Sequence, residues 1–393
     1  MELLITKSAK KAASAKEKIK RLIYNDIHWS DRLILLLGYR GVGKTTLLLQ
    51  RLQEIGDQGI YFSLDDLYFE NNRLVSVVEQ CYVLGYRTFF MDEVHRYQFW
   101  SKDLKQIYDD YDDIQVIATG SSILELSQGQ ADLSRRAIVY HLQGLTFREY
   151  LQFDKKLSIQ ALDLETIMAY HHEISADLSE RFSFEKDFKN YLNTGYFPFY
   201  LENKALYSQK LMETINLVID IDIAPFEELN YTTVRTMKKL LYVISQSVPF
   251  TPNISKLSER LEAPRNTILR LLDLLHQAKL IKLLNTEHVK LSYLQKPEKI
   301  YFENTNFVHL FADGKANIGS IRETFFFNQV SQIHRVSASK FGDFMVDEKY
   351  TFEVGGPNKN FQQIKGIPNS YLAIDVKNSV GNKIPLWLFG MLK

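Results

Sequence analysis

The run Gly38-Tyr39-Arg40-Gly41-Val42-Gly43-Lys44-Thr45 follows an apolar stretch, Leu33-Ile34-Leu35-Leu36-Leu37. It precedes Thr46-Leu47-Leu48-Leu49-Gln50-Arg51-Leu52, whose apolar residues recur at helical spacing. A strand, a glycine turn and a helix in that order make a nucleotide-binding P-loop, and no other feature limits the fold so strongly. The glycines let consecutive N–H groups, together with the positive end of the new helix, surround the β and γ phosphates of a nucleoside triphosphate. The nucleotide is therefore expected on Gly38, Tyr39, Arg40, Gly41, Val42, Gly43, Lys44, Thr45 and Thr46. In this pattern Lys44 supplies a point charge to the phosphates and Thr45 a hydroxyl ligand to Mg²⁺.

A second buried-strand run, Thr88-Phe89-Phe90-Met91, ends in Asp92-Glu93, at a distance from the P-loop that leaves room for one intervening βα unit. In that register Asp92 is expected to hold Mg²⁺ through water, and Glu93 to polarise the water that attacks the γ-phosphate. The strand between them, Gly59 to Leu64, leads to Asp65 and Asp66, which either cap a strand end or help to place metal or water. A further strand, Gln115 to Ala118, ends in Thr119-Gly120-Ser121-Ser122. Thr119 is the first choice for a polar group that senses the γ-phosphate, and Ser121 the second. Ser134-Arg135-Arg136 then precedes the strand Ala137 to Leu142. Arg136 is either a finger that reaches the nucleotide of a neighbouring subunit or half of a surface arginine pair.

At 393 residues the chain exceeds what one hydrophobic core usually serves, so two or three domains are expected. A net charge of +1 excludes a broad electrostatic grip on nucleic acid or membrane, leaving only local patches. The lone Cys81 reads as a small apolar filler. The segment Lys7 to Lys20 is basic with no apolar core behind it, so neither a signal peptide nor a membrane span is expected, and the cytoplasm follows. Lys7, Lys10, Lys11, Lys16, Lys18, Lys20 and Arg21 either touch phosphate or form the wet face of a helix leading into the core.

After the last core strand, Thr146 and Glu149 form a capping-box pattern that starts a helix near Phe147. Helical text continues to about Pro225, broken at Asn193 to Pro198, where a plain turn is preferred over an approach to nucleotide. His171, His172 and Glu173 read as a surface cluster rather than a metal set. From about Tyr231 to Asn304 the pattern is that of a winged helix: Val234–Ser247, Ile254–Leu261 and Ala263–Gln277 as helices, then strands Leu280–Leu284 and Lys299–Phe302 around a polar wing. Arg265, Asn266, Thr267 and Arg270 lie in the first turns of the third helix and have the chemistry to contact DNA. Lys282, Lys290 and Lys296 flank it, although such modules also dock proteins or act as lids. From Phe311 onward a helix at Ile321–Val330 precedes strands at Phe344–Val346, Tyr350–Val354 and Tyr371–Ile374. Asp343 or Asp347 with Glu353 has the look of a nuclease metal cluster. Gly355 stands where a lysine is expected, so Lys359 or Lys365 would have to swing in, and Asp375 with Lys377 offers a substitute pair.

With these residues the chain resembles bacterial and archaeal AAA-type ATPases related to the STAND branch, which carry a winged helix and a restriction-endonuclease-like carboxy-terminal domain of unknown function. The match rests on Gly38 to Thr46, Asp92-Glu93, Thr119-Gly120-Ser121, the arginine before Ala137, Leu145 to Tyr150, Gly195 to Pro198, and Glu323, Asn328, Asp343-Phe344 and Glu353-Val354. Gly355 in place of lysine and Ser122 in place of arginine are departures from that pattern. The resemblance implies ATP as the nucleotide, with Mg²⁺. It also implies an α/β fold: a P-loop NTPase parallel sheet over 1–145, a helical lid over 146–230, a winged helix over 231–309 and a small nuclease-like α/β domain over 310–393. Of function it implies ATP hydrolysis as a switch, and three readings stay open. The first is an ATP-driven switch or motor coupled to DNA, a protein partner or further copies of the chain. The second is an ATP-licensed DNA-binding regulator or defence protein with slow turnover, and the third an ATP-gated Mg²⁺ nuclease.

Overall fold

Continuous apolar runs have no polar face to offer water, and they become the interior strands of a parallel sheet covered on both sides. A computed structural model describes residues 1–14, 19–123, 133, 135–286, 296–312 and 315–392. Within these the chain divides into two compact units, 1–143 and 144–393.

In the first unit β1 (Leu33–Leu37), β2 (Gly59–Ser63), β3 (Thr88–Asp92), β4 (Gln115–Gly120) and β5 (Ile138–His141) run parallel in the order β2-β3-β4-β1-β5. The helices of this unit are α1 (Glu2–Ser14), α2 (Lys44–Ile55), α3 (Tyr68–Asn71), α4 (Leu74–Val83) and α5 (Trp100–Asp110). This is the α/β fold of a P-loop, AAA-like domain, with β1 and β3 buried at every position. Register decides which residues meet: Leu37 pairs with Gly120 and with His141, and Ser63 with Asp92. The loop after β1, the acid ending β3 and the threonine near the end of β4 therefore share the carboxyl edge of the sheet, where α/β sheets bind their ligands.

β2 is an edge strand, and α1 covers it: the Tyr61 N–H donates to Ser8 Oγ at 2.8 Å, so a strand donor is satisfied by a side chain instead of a neighbouring strand. The basic opening is mixed in behaviour. Lys7 pairs with Asp66 and Lys20 with Glu54, as a wet helix face would, while Lys16 and Lys18 lie outside the described residues. Arg21 departs from that expectation, because it is buried.

In the second unit the capping box forms as expected: the Glu149 N–H donates to Thr146 Oγ1 at 3.1 Å, and the Thr146 N–H to Glu149 Oε2 at 3.2 Å, opening the helix Phe147–Lys155. The break at Gly195 is a packed turn, since a Cβ there would lie 2.6 Å from Tyr191 Cα and 2.7 Å from Tyr150 Cδ2. His171 is buried, with Nε2 2.8 Å from the Gly381 carbonyl, which corrects its reading as a surface residue. Helices Tyr231–Ser245, Ile254–Leu261 and Arg265–Gln277 precede the antiparallel pair β6 (Ile281–Leu284) and β7 (Lys299–Phe302). The third helix begins after Pro264 rather than at Ala263, because a residue before proline is pushed out of the helical region. Most of the expected wing and Lys290 lie outside the described residues.

A mixed sheet follows, in the order β12-β11-β10-β9-β8, from β8 (Val336–Ala338), β9 (Phe344–Val346), β10 (Tyr350–Gly355), β11 (Ser370–Ile374) and β12 (Lys383–Pro385). Helix Ile318–Val330 packs on it through Phe326, whose ring meets Phe344, Phe352 and Phe389. Among the described residues no helix is long and apolar enough to cross a membrane.

Candidate nucleotide-binding site

The P-loop glycines answer to two separate constraints. Gly41 (φ 80°) and Gly43 (φ 101°) take up left-handed backbone that a side chain disfavours, and Gly43 sits directly before α2. At Gly38 a Cβ would lie 2.2 Å from the Leu142 carbonyl oxygen, so only glycine lets the loop pass the chain leaving β5. Arg21 ties the same place down from below, with Nη1 donating to the Val42 carbonyl at 2.6 Å and Nη2 to the Gln143 carbonyl at 2.9 Å. Lys44, at the first turn of α2, is buried and donates to the loop carbonyls of Gly38 (2.8 Å) and Tyr39 (3.1 Å). Its ammonium therefore lies under the loop at the positive end of a twelve-residue helix, where a phosphate would find charge and the N–H groups of the first helical turn.

Asp92 is the hub of the site. Its carboxylate accepts the hydroxyl of Thr45 at 2.7 Å, the phenol of Tyr61 at 2.9 Å and the hydroxyl of Thr119. Burial, and next the charge of Asp92, push the Tyr61 phenol well above its ordinary range, so it remains a donor. Thr119 works in both directions, because its oxygen also accepts the Glu93 N–H at 3.1 Å. One threonine near the end of β4 thereby fixes both Asp92, which ends β3, and Glu93, which follows it. The oxygen-rich pair Thr45 and Asp92 suits a hard divalent cation such as Mg²⁺, which prefers carboxylate and hydroxyl oxygen.

Glu93 has left-handed backbone (φ 54°), unusual outside glycine and found at functional turns. Its Oε2 lies 3.4 Å from Arg40 Nη2 and 3.4 Å from His95 Nε2. His95 is oriented in turn by the Ser121 N–H, which approaches Nδ1 at 3.4 Å. The structure thus brings together Lys44, Thr45, Asp92, Glu93 and Thr119. It adds Tyr61, Arg21 and His95, which sequence patterns did not single out for this site.

Arg136 is not brought in. It lies just before β5, whose Ile138 pairs with Ile34, at the opposite edge of the sheet from the P-loop, and its guanidinium grips Asp109 at 2.8 and 3.0 Å. Asp66 caps the Tyr68 N–H at 3.1 Å and pairs with Lys7, a local role with no share in the site.

In the second unit, Arg265 and Asn266 are exposed at the start of their helix, Thr267 is half-buried, and Arg270 is exposed. Arg265 donates to Ser255 and Arg270 pairs with Glu227. The carboxy-terminal acids gather around lysines. Lys299 Nζ lies 3.4 Å from Asp343 and 3.7 Å from Glu323, Tyr301 donates to Glu323 at 2.7 Å, and buried Glu353 pairs with Lys359. The stem of Lys359 lies over Gly355, where a Cβ would meet its Cγ, Cβ and Cδ at 2.7–2.9 Å. Among the described residues no three His, Cys, Asp or Glu side chains converge to hold a metal. Asn328 joins a different network, donating to the Glu303 carbonyl at 2.8 Å. Asp347 binds His334 at 2.6 Å and Asp375 binds Arg322 at 3.0 Å.

Comparison with known proteins bears on the first unit most directly. Residues 30–151 match the AAA domain family, and residues 185–315 match a domain of unknown function, DUF8612. An uncharacterized protein of Methanocaldococcus jannaschii is 32% identical over 283 residues, 68% of this chain and 59% of that relative, so the chain spans about three-fifths of the relative's length. Among solved structures, the RuvB Holliday junction branch migration motor of Thermotoga maritima is 18% identical, covering 72% of this chain and 89% of that one at a TM-score of 0.28. The Orc1 protein of Aeropyrum pernix, in complex with DNA, is 11% identical over 80% and 92% at a TM-score of 0.32. Superpositions that loose carry no functional argument. The family match and the geometry of the loop agree, and residues 30–151 carry an AAA-type P-loop domain.

Proposed function

We propose that this chain binds Mg²⁺-ATP at its P-loop and hydrolyses it, and that the presence or absence of the γ-phosphate switches the arrangement of the rest of the chain. The observation that carries this reading is the hydrogen-bonded line Thr45–Asp92–Thr119–Glu93 beside a buried Lys44. Lys44 would exchange the Gly38 and Tyr39 carbonyls for phosphate oxygens. Thr45 and Asp92 would hold Mg²⁺, which supplies charge neutralisation of the phosphates when bound. Thr119 keeps Asp92 and Glu93 in register. Glu93 takes a proton from water as the water oxygen bonds to the γ-phosphorus, and the bond to the bridging oxygen breaks with its electron pair leaving on ADP. Arg136 is tied to Asp109 in its own subunit, so a finger role would require release of that pair and assembly with a second copy. Exposed Arg265 and Asn266 support coupling to DNA, and the single buried cysteine is in keeping with action in the cytoplasm.

The test is Mg²⁺-dependent nucleotide binding and phosphate release by the purified chain. Lys44→Ala is expected to abolish binding. Glu93→Gln should retain binding while turnover falls by about a hundredfold or more. Unchanged turnover in both variants would reject the reading.

A second reading, an ATP-gated Mg²⁺ nuclease, is favoured by one observation: Lys359 delivers its ammonium to Glu353 across Gly355, where a lysine was expected from sequence. Plasmid cleavage in Mg²⁺ or Mn²⁺ that is lost in both Lys359→Met and Glu353→Ala would support it. Intact plasmid in every nucleotide state would remove it.

A further inference from the structure

Glu93 is the base of the proposed hydrolysis, yet its carboxylate does not stand free. Oε2 is buried, has no hydrogen-bond partner, and faces two nitrogens at the same 3.4 Å, one on Arg40 and one on His95. The two arms differ in what anchors them. Arg40 belongs to the P-loop itself, one residue before left-handed Gly41, on the stretch that must wrap the phosphates. His95 follows β3 and is oriented by the backbone of β4 through the Ser121 N–H. With Nδ1 accepting that N–H, the neutral ring carries its proton on Nε2, the nitrogen turned toward Glu93.

We propose that Arg40 senses the γ-phosphate and restrains Glu93 until a triphosphate arrives, while His95 is a positioning residue that holds the same carboxylate throughout the cycle. The inference rests on the P-loop reading above. Its physical basis is competition for one guanidinium. A terminal phosphate carries more negative charge than a carboxylate and offers a bidentate face that suits the planar fork of arginine. The contact to Glu93 that it would replace is an ion pair at 3.4 Å in which Oε2 accepts no hydrogen bond, a weaker geometry than a bidentate pair with phosphate. Once Arg40 has moved, the carboxylate keeps only the His95 arm and can turn to a water. ADP has no γ-phosphate to attract the guanidinium. After phosphate departs Arg40 returns to Glu93, which keeps the base occupied between turnovers. Arg40 would thus read the difference between ATP and ADP, and His95 would not.

The experiment uses the full chain, titrated in Mg²⁺ with a β,γ-imido ATP analogue and separately with ADP, alongside steady-state phosphate release. Arg40→Gln is expected to weaken analogue binding by on the order of ten- to a hundredfold, as loss of a charge-assisted contact does, and to leave ADP binding within about twofold. Arg40→Lys should recover part of the analogue affinity. His95→Ala should lower kcat by about tenfold with both affinities unchanged. Equal weakening of analogue and ADP by Arg40→Gln and by Arg40→Ala would assign Arg40 to holding the loop and overturn the proposal, as would no change in either. An unaltered kcat in His95→Ala removes the positioning role. If the unsubstituted chain binds neither nucleotide, the P-loop reading itself fails. If it binds both and Arg40 does not discriminate, this inference alone fails.

Discussion

Two groups of acids, one in each unit, are held by opposite means. In the first unit Asp92 is surrounded by hydroxyls, with Thr45, Tyr61 and Thr119 all donating to it. In the second, lysines stand beside every acid, Lys299 between Glu323 and Asp343 and Lys359 on Glu353, although Tyr301 also donates to Glu323. A hydroxyl satisfies a lone pair without cancelling charge, so a carboxylate so held keeps its negative field available for a cation. A lysine cancels that field. Burial raises Glu323, helped by the charge of Asp343, and burial raises Glu353 against the opposing pull of Lys359. Nearness of acids is therefore a poor sign of a working metal site, and the chemistry of their hydrogen-bond donors is a better one.

The sharpest way to break this contrast is to neutralise one acid from each group and measure the same reaction. Asp92→Asn should cost ATP turnover about a thousandfold and remove the Mg²⁺ dependence of nucleotide binding, whereas Glu353→Gln should leave both unchanged. A comparable loss in the two variants would mean that the acids of the second unit belong to the ATP reaction. A smaller effect tests the hydroxyl shell. Tyr61→Phe deletes one of the three donors and keeps the ring, so turnover is expected to fall by roughly fivefold, about 1 kcal/mol, with the melting temperature lowered by a few degrees. If Tyr61→Phe is silent, Thr45 and Thr119 suffice to hold Asp92.

How far these two groups were legible beforehand follows from how local each one is. The P-loop is contiguous, and Gly41 and Gly43 answer to their own backbone geometry, so the motif alone located Lys44 and Thr45. Asp92 and Thr119 were found because strand ends in a parallel sheet fall on one edge. Tyr61 was missed: within Gly59 to Ser63 it reads as one more buried strand residue, and its partner is 31 positions away. Arg21 was hidden inside a run of lysines, although its partners Val42 and Gln143 make it part of the loop's foundation. In the second unit the helix and the three central strands followed from their apolar patterns, but β8 and β12, three residues each at the sheet edges, are too short to show alternation. Asn328 was grouped with the acids by pattern, and the fold spends it on the Glu303 carbonyl instead.

The finest test of the lysine-held group is its pH dependence. Burial first, and the charge of Asp343 second, raise Glu323 above the ordinary glutamate range, against donation from Tyr301 and attraction by Lys299. A raised carboxyl binds more protons in the folded chain than in the unfolded one between the two pKa values, so folding stability falls as pH rises through that interval. Below the ordinary glutamate value, about 4.3, both states are protonated and the contribution is fully present. Glu323→Gln cannot titrate, yet its amide oxygen can still accept the Tyr301 hydroxyl. Urea unfolding of the second unit in the full chain, followed from about pH 4 to 8, should therefore show the unsubstituted protein losing stability relative to Glu323→Gln, by about 1.4 kcal/mol for each unit of upward shift. The opposite slope, with the natural residue gaining on glutamine as pH rises, would mean that Lys299 stabilises the ionised acid more than burial penalises it. In that case the second group would hold an anion after all, and the difference between the two units would reduce to which donors surround the charge.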